Sequence, residues 1–333
     1  MTRCGSSCFF SRKSGKDFDD TSIGTVKFNL RKDPSMKKLF SLASTSFLVA
    51  ALAGCATSGL DANLKYGASS LSTQRALSLG RSYIPLAKMA KIGRMSKSAR
   101  RTTMASLPVR IDLRKGCTPI TSQGSSNACS AFASVDGLSE FLAKKQGKPM
   151  DYSPRFIWNL VRKDTGELEQ NAGVDYRDAV KKIAAVGLIP ETAFPFPTAS
   201  QQADASAFSR SISEVPSPAL VAEAARHRLF KEARVLASAE EMKESVAAGM
   251  PVVFGIAVFP NVDQGKNGEI PLPKKGDQAV GGHIMLCVGY DEGKQQFIVR
   301  NSWGATWGDQ GYGYLPYAYI QPEWAHVGMT AGL

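Results

Sequence analysis

The chain has 333 residues and 43% apolar side chains, enough to bury the core of one large or two ordinary domains, which excludes disorder throughout. Its formal net charge is +12, but the excess lies in residues 1–106, where 18 Lys and Arg accompany five Asp and Glu. Residues 107–333 carry 23 basic and 24 acidic side chains. Because phosphate binding needs a basic surface, this near-neutral module argues against a nucleic-acid function.

The N-terminal region contains a predicted export signal at 36–55. It starts near two lysines, continues with an uncharged, mostly apolar run too short to span a bilayer, and ends in Leu-Ala-Gly-Cys at Cys55. This ending resembles the lipobox of bacterial lipoproteins, which implies that Cys55 is lipidated and becomes the mature N-terminus. Residues 1–35 are then an upstream extension from a misplaced start codon. The alternatives are a soluble secreted protein cleaved nearby and an internal apolar segment.

The lipobox resemblance also predicts where the protein resides. A lipid on Cys55 would attach the exported protein to a bacterial membrane. The next residue, Ala56, is not the aspartate that often retains lipoproteins in the inner membrane. We therefore expect the outer membrane or the periplasmic face.

Residues 56–106 form a predicted basic tether between the anchor and the folded module. They are rich in Ser, Ala, Gly, Lys and Arg, with few large apolar side chains and little periodicity, which is typical of a solvated spacer. A second interpretation adds attraction to anionic lipid headgroups. A third is a short propeptide that is cleaved near Arg100.

A helix is predicted to begin at Cys129. Apolar side chains recur from there at helical spacing, at Phe132, Val135 and Leu138, until Gly147 ends the pattern. At a helix N-terminus, the dipole and the free amide groups stabilise a thiolate, which is the reactive form of cysteine. Cys129 is therefore a candidate nucleophile, although a cysteine at a helix start, taken alone, is more often a packing residue.

Two predicted strands supply a candidate base. One β-rich run starts near His283 and a second ends near Asn301, and residues 291–294 between them have the composition of a hairpin turn. Strands paired in this way would bring the two side chains together. The Asn301 amide oxygen could then hold one imidazole nitrogen while the other faces Cys129, which is the arrangement of a Cys-His-Asn triad.

Together these segments resemble the papain-like cysteine peptidases. Gln123 lies six residues before Cys129, as in that family, and the Asn-Ser-Trp-Gly sequence that starts at Asn301 is the most specific match. The resemblance covers about 107–320. It implies that the protein hydrolyses proteins or peptides through a thioester acyl-enzyme. The reaction would start from a thiolate–imidazolium pair and would need no metal and no cofactor.

The resemblance also implies a fold for the domain at 107–333. The expected class is α+β with two lobes, a helical lobe at about 112–215 and a β-barrel-like lobe at about 216–325. The active-site cleft would lie between them. We expect the protein to be a monomer.

Family membership would assign roles to further residues. The Cys129 backbone amide and the Gln123 side chain would bind the oxyanion of the tetrahedral intermediate. Trp303 would shield the Asn–His hydrogen bond from water, and Trp307 would line the leaving-group side of the cleft. Gly173 would hydrogen-bond the backbone of an extended substrate, because a side chain there would block the approach; a simple turn position is the alternative.

Two residues depart from the family pattern. Ser126 replaces a cysteine that usually forms a disulfide, and Ser130 replaces the aromatic residue that usually follows the nucleophile. These departures keep two other functions open. One is a catalytically inactive peptide-binding lipoprotein with the same fold, and the other is an acyl transferase that uses the same triad.

The cysteine content of 107–333 predicts free thiols. Only Cys117, Cys129 and Cys287 are present, and so small and odd a number argues against a disulfide framework in an exported protein. Cys287 lies within an apolar run, where we expect a buried, inert thiol.

Overall fold

The structure is a computed structural model that describes residues 107–332. The predicted extension at 1–35, the signal at 36–55 with Cys55, and the tether at 56–106 all lie outside the described residues. Between 107 and 332, no helix combines the length and the apolar character needed to cross a membrane.

The helix predicted at Cys129 is present and lies at the centre of the domain. It consists of α1 (Cys129–Phe132), a π-helical segment (Ala133–Ser139) and α2 (Glu140–Lys145). Every residue from 129 to 143 is buried. The helix ends before Gly147, which has a φ of 74°, a left-handed conformation that glycine adopts without strain.

Several shorter helices complete the helical part of the domain. They are α3 (Pro154–Asp164), α4 (Tyr176–Val186), α5 (Ala199–Ala203), α6 (Ala205–Ser213), α7 (Pro218–Ala224) and α8 (Ala239–Ala247). The start of α3 is set by its sequence. The Ser153 hydroxyl accepts a hydrogen bond from the Phe156 amide, and Pro154 occupies the first turn, where its missing N–H costs nothing.

Seven antiparallel strands form one sheet. They are β1 (Arg110–Asp112), β2 (Glu232–Leu236), β3 (Val252–Val258), β4 (Gly281–Asp291), β5 (Gln296–Arg300), β6 (Tyr312–Pro316) and β7 (Gly328–Gly332). The strand order is β2-β7-β3-β4-β5-β6, and β1 pairs with the end of β4. The pairing of β1 needs Gly289, because a Cβ there would lie 2.5 Å from the Ile111 carbonyl oxygen.

Strand β4 separates two hydrophobic clusters. Ile284, Leu286 and Val288 pack with the buried faces of the helices. Met285 and Cys287 instead pack in a second cluster, with side chains of the neighbouring strands. This division follows from the alternation of side chains along a strand. One face of β4 therefore packs against the helix that begins at Cys129, and the other faces the cluster that includes Met242 and Val246 of α8.

The predicted α+β class is confirmed, and the strands extend further than the predicted lobe. β1 joins the sheet from before residue 112, and β7 joins it from beyond residue 325. α7 lies after residue 215, where strands were expected. Pairing with distant strands decides the positions of β1 and β7. Such pairing leaves no local signal in the sequence.

The three cysteines of the described region are free and buried. Cys287 has no exposed surface, as expected for an inert thiol in an apolar strand.

Candidate active site

The imidazole of His283 is held by the side chain of Asn301. The β4–β5 hairpin pairs Leu286 with Arg300, so Asn301, the next residue, lies beside the start of β4. His283 Nε2 and Asn301 Oδ1 are 2.7 Å apart. The Ser302 amide also donates to Asn301 Oδ1, at 2.8 Å, which fixes the amide oxygen towards the ring. The arrangement orients the imidazole through one nitrogen.

Two tryptophans surround this pair. The ring of Trp303 stacks on that of His283 with centroids 4.4 Å apart and an interplanar angle of 29°. Trp307 meets Trp303 edge to face at 5.4 Å, and its indole N–H donates to Asp263 Oδ1 at 3.0 Å. The structure thus brings together both predicted tryptophans and the histidine. Trp303 therefore covers one face of the His283 ring, and Trp307 packs against Trp303.

Cys129 lies at the first position of α1, against the start of β4. Its sulfur is within hydrogen-bonding reach of the backbone of Ile284, the residue after His283, and of Ser130. Both Cys129 and His283 are buried, with exposed fractions of 0% and 1%. The candidate nucleophile and the candidate base therefore occupy the same junction between the helix and the strand.

Burial favours the protonated form of the Cys129 thiol, whereas its position at a helix start predicts the thiolate. Loss of water raises its pKa to about 12, while the hydrogen bonds from the Ile284 and Ser130 backbones have a smaller, lowering effect. The helix start was expected to favour a thiolate. In the described conformation burial therefore disfavours the thiolate, because amide groups solvate a negative sulfur less well than water does.

Gln123 lies beside the site in a fixed orientation. Its backbone amide donates to the Ser302 carbonyl oxygen at 2.9 Å, and its side-chain Oε1 accepts from the Ser302 hydroxyl at 2.7 Å. Its Nε2 donates one hydrogen to the Ser126 carbonyl oxygen at 2.7 Å. Since an amide nitrogen carries two hydrogens, a second remains as a potential oxyanion donor.

Gly173 is buried in a loop segment next to the helix that begins at Cys129. The neighbouring Val174 carbonyl accepts a 2.5 Å hydrogen bond from the Ser130 hydroxyl. Asn171 accepts from the Asn127 amide at 2.9 Å through its side-chain oxygen. These bonds fix the segment against the start of α1.

The sequence did not reveal the role of Ser130. The sequence pattern indicates only the loss of an aromatic side chain at this position, whereas in the fold the Ser130 hydroxyl connects the helix that begins at Cys129 to Val174. A polar residue at a buried helical position was the available signal. Its partner lies 44 residues away, so the contact itself was not predictable.

Residues 107–322 match the family described as papain family cysteine protease. The chain is 29% identical over 209 residues to an uncharacterized peptidase C1-like protein of Acanthamoeba polyphaga mimivirus, covering 60% of this chain and 65% of that protein. It is 28% identical over 224 residues to cathepsin K of Mus musculus, covering 63% of this chain and 60% of that protein. The chain thus spans slightly less than two thirds of the length of these relatives.

The fold is also similar to solved structures. Xylellain, a cysteine protease from Xylella fastidiosa, matches with a TM-score of 0.60 and 29% identity, covering 76% of this chain and 95% of that chain. The family match extends over both the helices and most strands of the sheet. The chain belongs to the papain family of cysteine proteases.

Proposed function

We propose that the protein is a cysteine peptidase that hydrolyses peptide bonds, with Cys129 as nucleophile, His283 as base and Asn301 as the residue that orients the base. The observation that carries this proposal is the 2.7 Å hydrogen bond between His283 Nε2 and Asn301 Oδ1, formed where the Cys129 sulfur contacts the adjoining Ile284 backbone. A nucleophile, a base and a group that orients the base are the parts that covalent acyl transfer requires.

In the proposed reaction, the Cys129 sulfur attacks the carbonyl carbon of the scissile peptide bond while its proton passes to His283. The carbonyl oxygen becomes an oxyanion, which the Cys129 backbone amide and Gln123 Nε2 stabilise; one such donor commonly contributes about 3 kcal/mol to transition-state stabilisation. Cleavage of the C–N bond releases an amine that takes the proton from His283. Water, deprotonated by His283, then hydrolyses the thioester and restores the thiol.

Access is the first requirement of this mechanism. A peptide cannot reach a sulfur that has no exposed surface, and the burial that hides Cys129 also raises its pKa. We propose that the contact between the start of α1 and the start of β4 opens to admit both substrate and water. Opening would lower the pKa of Cys129 and allow proton transfer to His283.

The test compares two thiol variants of the full chain, Cys129→Ala and Cys287→Ala. Peptide hydrolysis and mass-spectrometric labelling by a thiol-directed epoxide are measured for each. We expect Cys129→Ala to lose hydrolysis and the fast labelling at neutral pH, and Cys287→Ala to keep both, because Cys287 is equally buried but lies in the other cluster. Hydrolysis that persists in Cys129→Ala would refute the mechanism.

An inactive peptide-binding protein is the second candidate, and the burial of Cys129 is the observation that favours it. It predicts that the wild type neither hydrolyses peptides nor reacts with the epoxide, yet binds peptides. An acyl transferase would react with the epoxide but pass the acyl group to an added amine in preference to water.

We also propose that Cys55 carries a lipid that holds the protein at a bacterial membrane. The Leu-Ala-Gly-Cys sequence supports this proposal. Membrane fractionation tests it: Cys55→Ser should move the protein from the membrane pellet to the soluble fraction, and an unchanged distribution would contradict lipid anchoring.

A further inference from the structure

A small polar cavity lies behind the candidate active site. It is enclosed by the π-helical segment Ala133–Ser139, the β4 strand and the residues around the end of β5, and its polar lining includes Asp136, Asn301, Ser302 and Thr121. The cavity is small, close to the smallest size that can hold a single water molecule.

Two unsatisfied polar atoms line this cavity. Asp136 and Asn301 are 4% and 3% exposed, and Asp136 Oδ1 and Asn301 Nδ2 are buried without a hydrogen-bond partner among the described residues. The second polar atom of each side chain is engaged. Asp136 Oδ2 accepts from the Thr121 hydroxyl at 2.6 Å, and Asn301 Oδ1 interacts with His283. One atom is an acceptor and the other a donor, so a single water can satisfy both.

We propose that one internal water accepts a hydrogen bond from Asn301 Nδ2 and donates one to Asp136 Oδ1, and that Asp136 is thereby a positioning residue for His283. The inference rests on the proposed function, because it assigns Asp136 a role in orienting the catalytic base. Asp136 would thus be a fourth side chain that supports the three candidate residues Cys129, His283 and Asn301.

Asp136 is the lining side chain whose acceptor atom is buried without a hydrogen-bond partner among the described residues. The Arg300 guanidinium has only donors, and it donates to the carbonyl oxygens of Thr118 and Pro119 at 2.5 and 2.8 Å. The Ser302 hydroxyl donates to Gln123. Among the lining side chains, Asp136 therefore offers the available carboxyl oxygen.

The backbone holds Asp136 rigidly at this position. It lies in a π-helical segment, a departure from regular α-helix that is frequent at functional sites. Its carbonyl oxygen accepts a hydrogen bond from the Thr118 hydroxyl at 3.2 Å. A Cβ on the adjacent Gly137 would be 3.2 Å from a methyl group of Leu286, so the helix and β4 are in close contact here.

The bridge does not depend on the charge of Asp136. Burial raises the pKa of this carboxyl well above its usual range, with a further raising effect from Glu140 and Glu191, while Thr121 and Arg300 act in the lowering direction. A carboxyl group keeps an acceptor oxygen whether or not it is protonated. An asparagine at this position should therefore preserve the bridge, and an apolar residue should remove it.

The proposed water would fix the orientation of the Asn301 amide. With Nδ2 bound to the water, Oδ1 must face the ring nitrogen of His283. Without the acceptor, the Ser302 amide, which donates to Oδ1 at 2.8 Å, is left to oppose rotation of the Asn301 amide by half a turn. That rotation would present a donor to His283 and break their hydrogen bond. The loss should lower kcat and leave KM unchanged, because the cavity lies behind the reacting groups.

The first test is a high-resolution crystal structure of the full wild-type chain. A water within hydrogen-bond distance of both Asp136 Oδ1 and Asn301 Nδ2 is expected, and its absence would overturn the inference. This result does not require peptidase activity, so failure of the inference and failure of the proposed function can be told apart.

The second test compares Asp136→Leu with Asp136→Asn. We expect Asp136→Leu to reduce kcat about 10- to 100-fold at constant KM and to shift the downfield NMR resonance of the His283 ring proton. Asp136→Asn should restore kcat to within about threefold of wild type. Equal kcat in Asp136→Leu and wild type would refute the role. If Asp136→Leu does not fold, the wild-type structure still decides the question. In Asp136→Asn, the resonance of the His283 ring proton should stay at its wild-type position, and a shift would contradict the bridge.

Discussion

Cys129 and Cys287 are two thiols with the same burial and different surroundings. Neither has exposed surface, and burial raises the pKa of each to about 12. Cys129, however, starts a helix beside the strand end that carries His283. Cys287 lies within β4 in the second hydrophobic cluster, and its sulfur donates to the Gly289 carbonyl oxygen at 3.5 Å.

The comparison shows that burial and pKa do not identify a reactive cysteine in this fold. What distinguishes Cys129 is the set of groups around it: an oriented imidazole, backbone amides and the Gln123 side chain. Cys287 has an apolar environment and a single weak hydrogen bond. Variants that remove the groups around Cys129 one at a time should therefore make its chemistry approach that of Cys287.

Removal of the base should have the largest effect. In His283→Ala, Cys129 keeps its raised pKa but has no proton acceptor. Epoxide labelling at pH 7 should fall by about 1,000-fold or more and should then rise about tenfold per pH unit, as expected for a thiol that titrates well above neutrality. Labelling rates measured by mass spectrometry between pH 6 and 10 test this.

The slow labelling of Cys287, measured in Cys129→Ala, is the control for the pH profile. We expect His283→Ala to give Cys129 a pH profile parallel to that of Cys287. If His283→Ala labels at the wild-type rate at pH 7, His283 is not the base.

Removal of the oxyanion donor should have an intermediate effect. Gln123→Ala should reduce kcat about 100-fold, because one hydrogen bond to the developing charge is lost. Ser302→Ala is the matched control, since it removes the hydrogen bond to Gln123 Oε1 but keeps the amide donor. Its loss of kcat should be clearly smaller. Equal losses in steady-state assays would mean that Gln123 acts only through packing.

Removal of the Ser130 hydroxyl should have the smallest effect. Ser130→Ala leaves the buried Val174 carbonyl without this donor, which should cost about 1 to 3 kcal/mol of the free energy of unfolding and raise KM a few-fold by loosening the segment around Gly173. Ser134→Ala is the control on the same helix, because the buried Ser134 hydroxyl has no hydrogen-bond partner within residues 107–332. A larger stability loss in Ser134→Ala would contradict this assignment.

Local patterns were sufficient to predict several elements. The apolar spacing after Cys129 predicted the central helix, and the turn residues at 291–294 predicted the β4–β5 hairpin that brings Asn301 to His283. These features depend on residues close together in the chain. The pairing of β1 with β4 and of β7 with β2 was not predicted, because it joins segments far apart in the sequence.

The sequence by itself determined the family, the start of the nucleophile helix and the hairpin that pairs His283 with Asn301, because each depends on residue types at short, fixed spacing. Only the tertiary structure decided that Cys129 is buried and has a raised pKa, since solvation depends on everything packed around the sulfur. It also decided that Asp136 and Asn301 line the same cavity, although 165 residues separate them in the sequence.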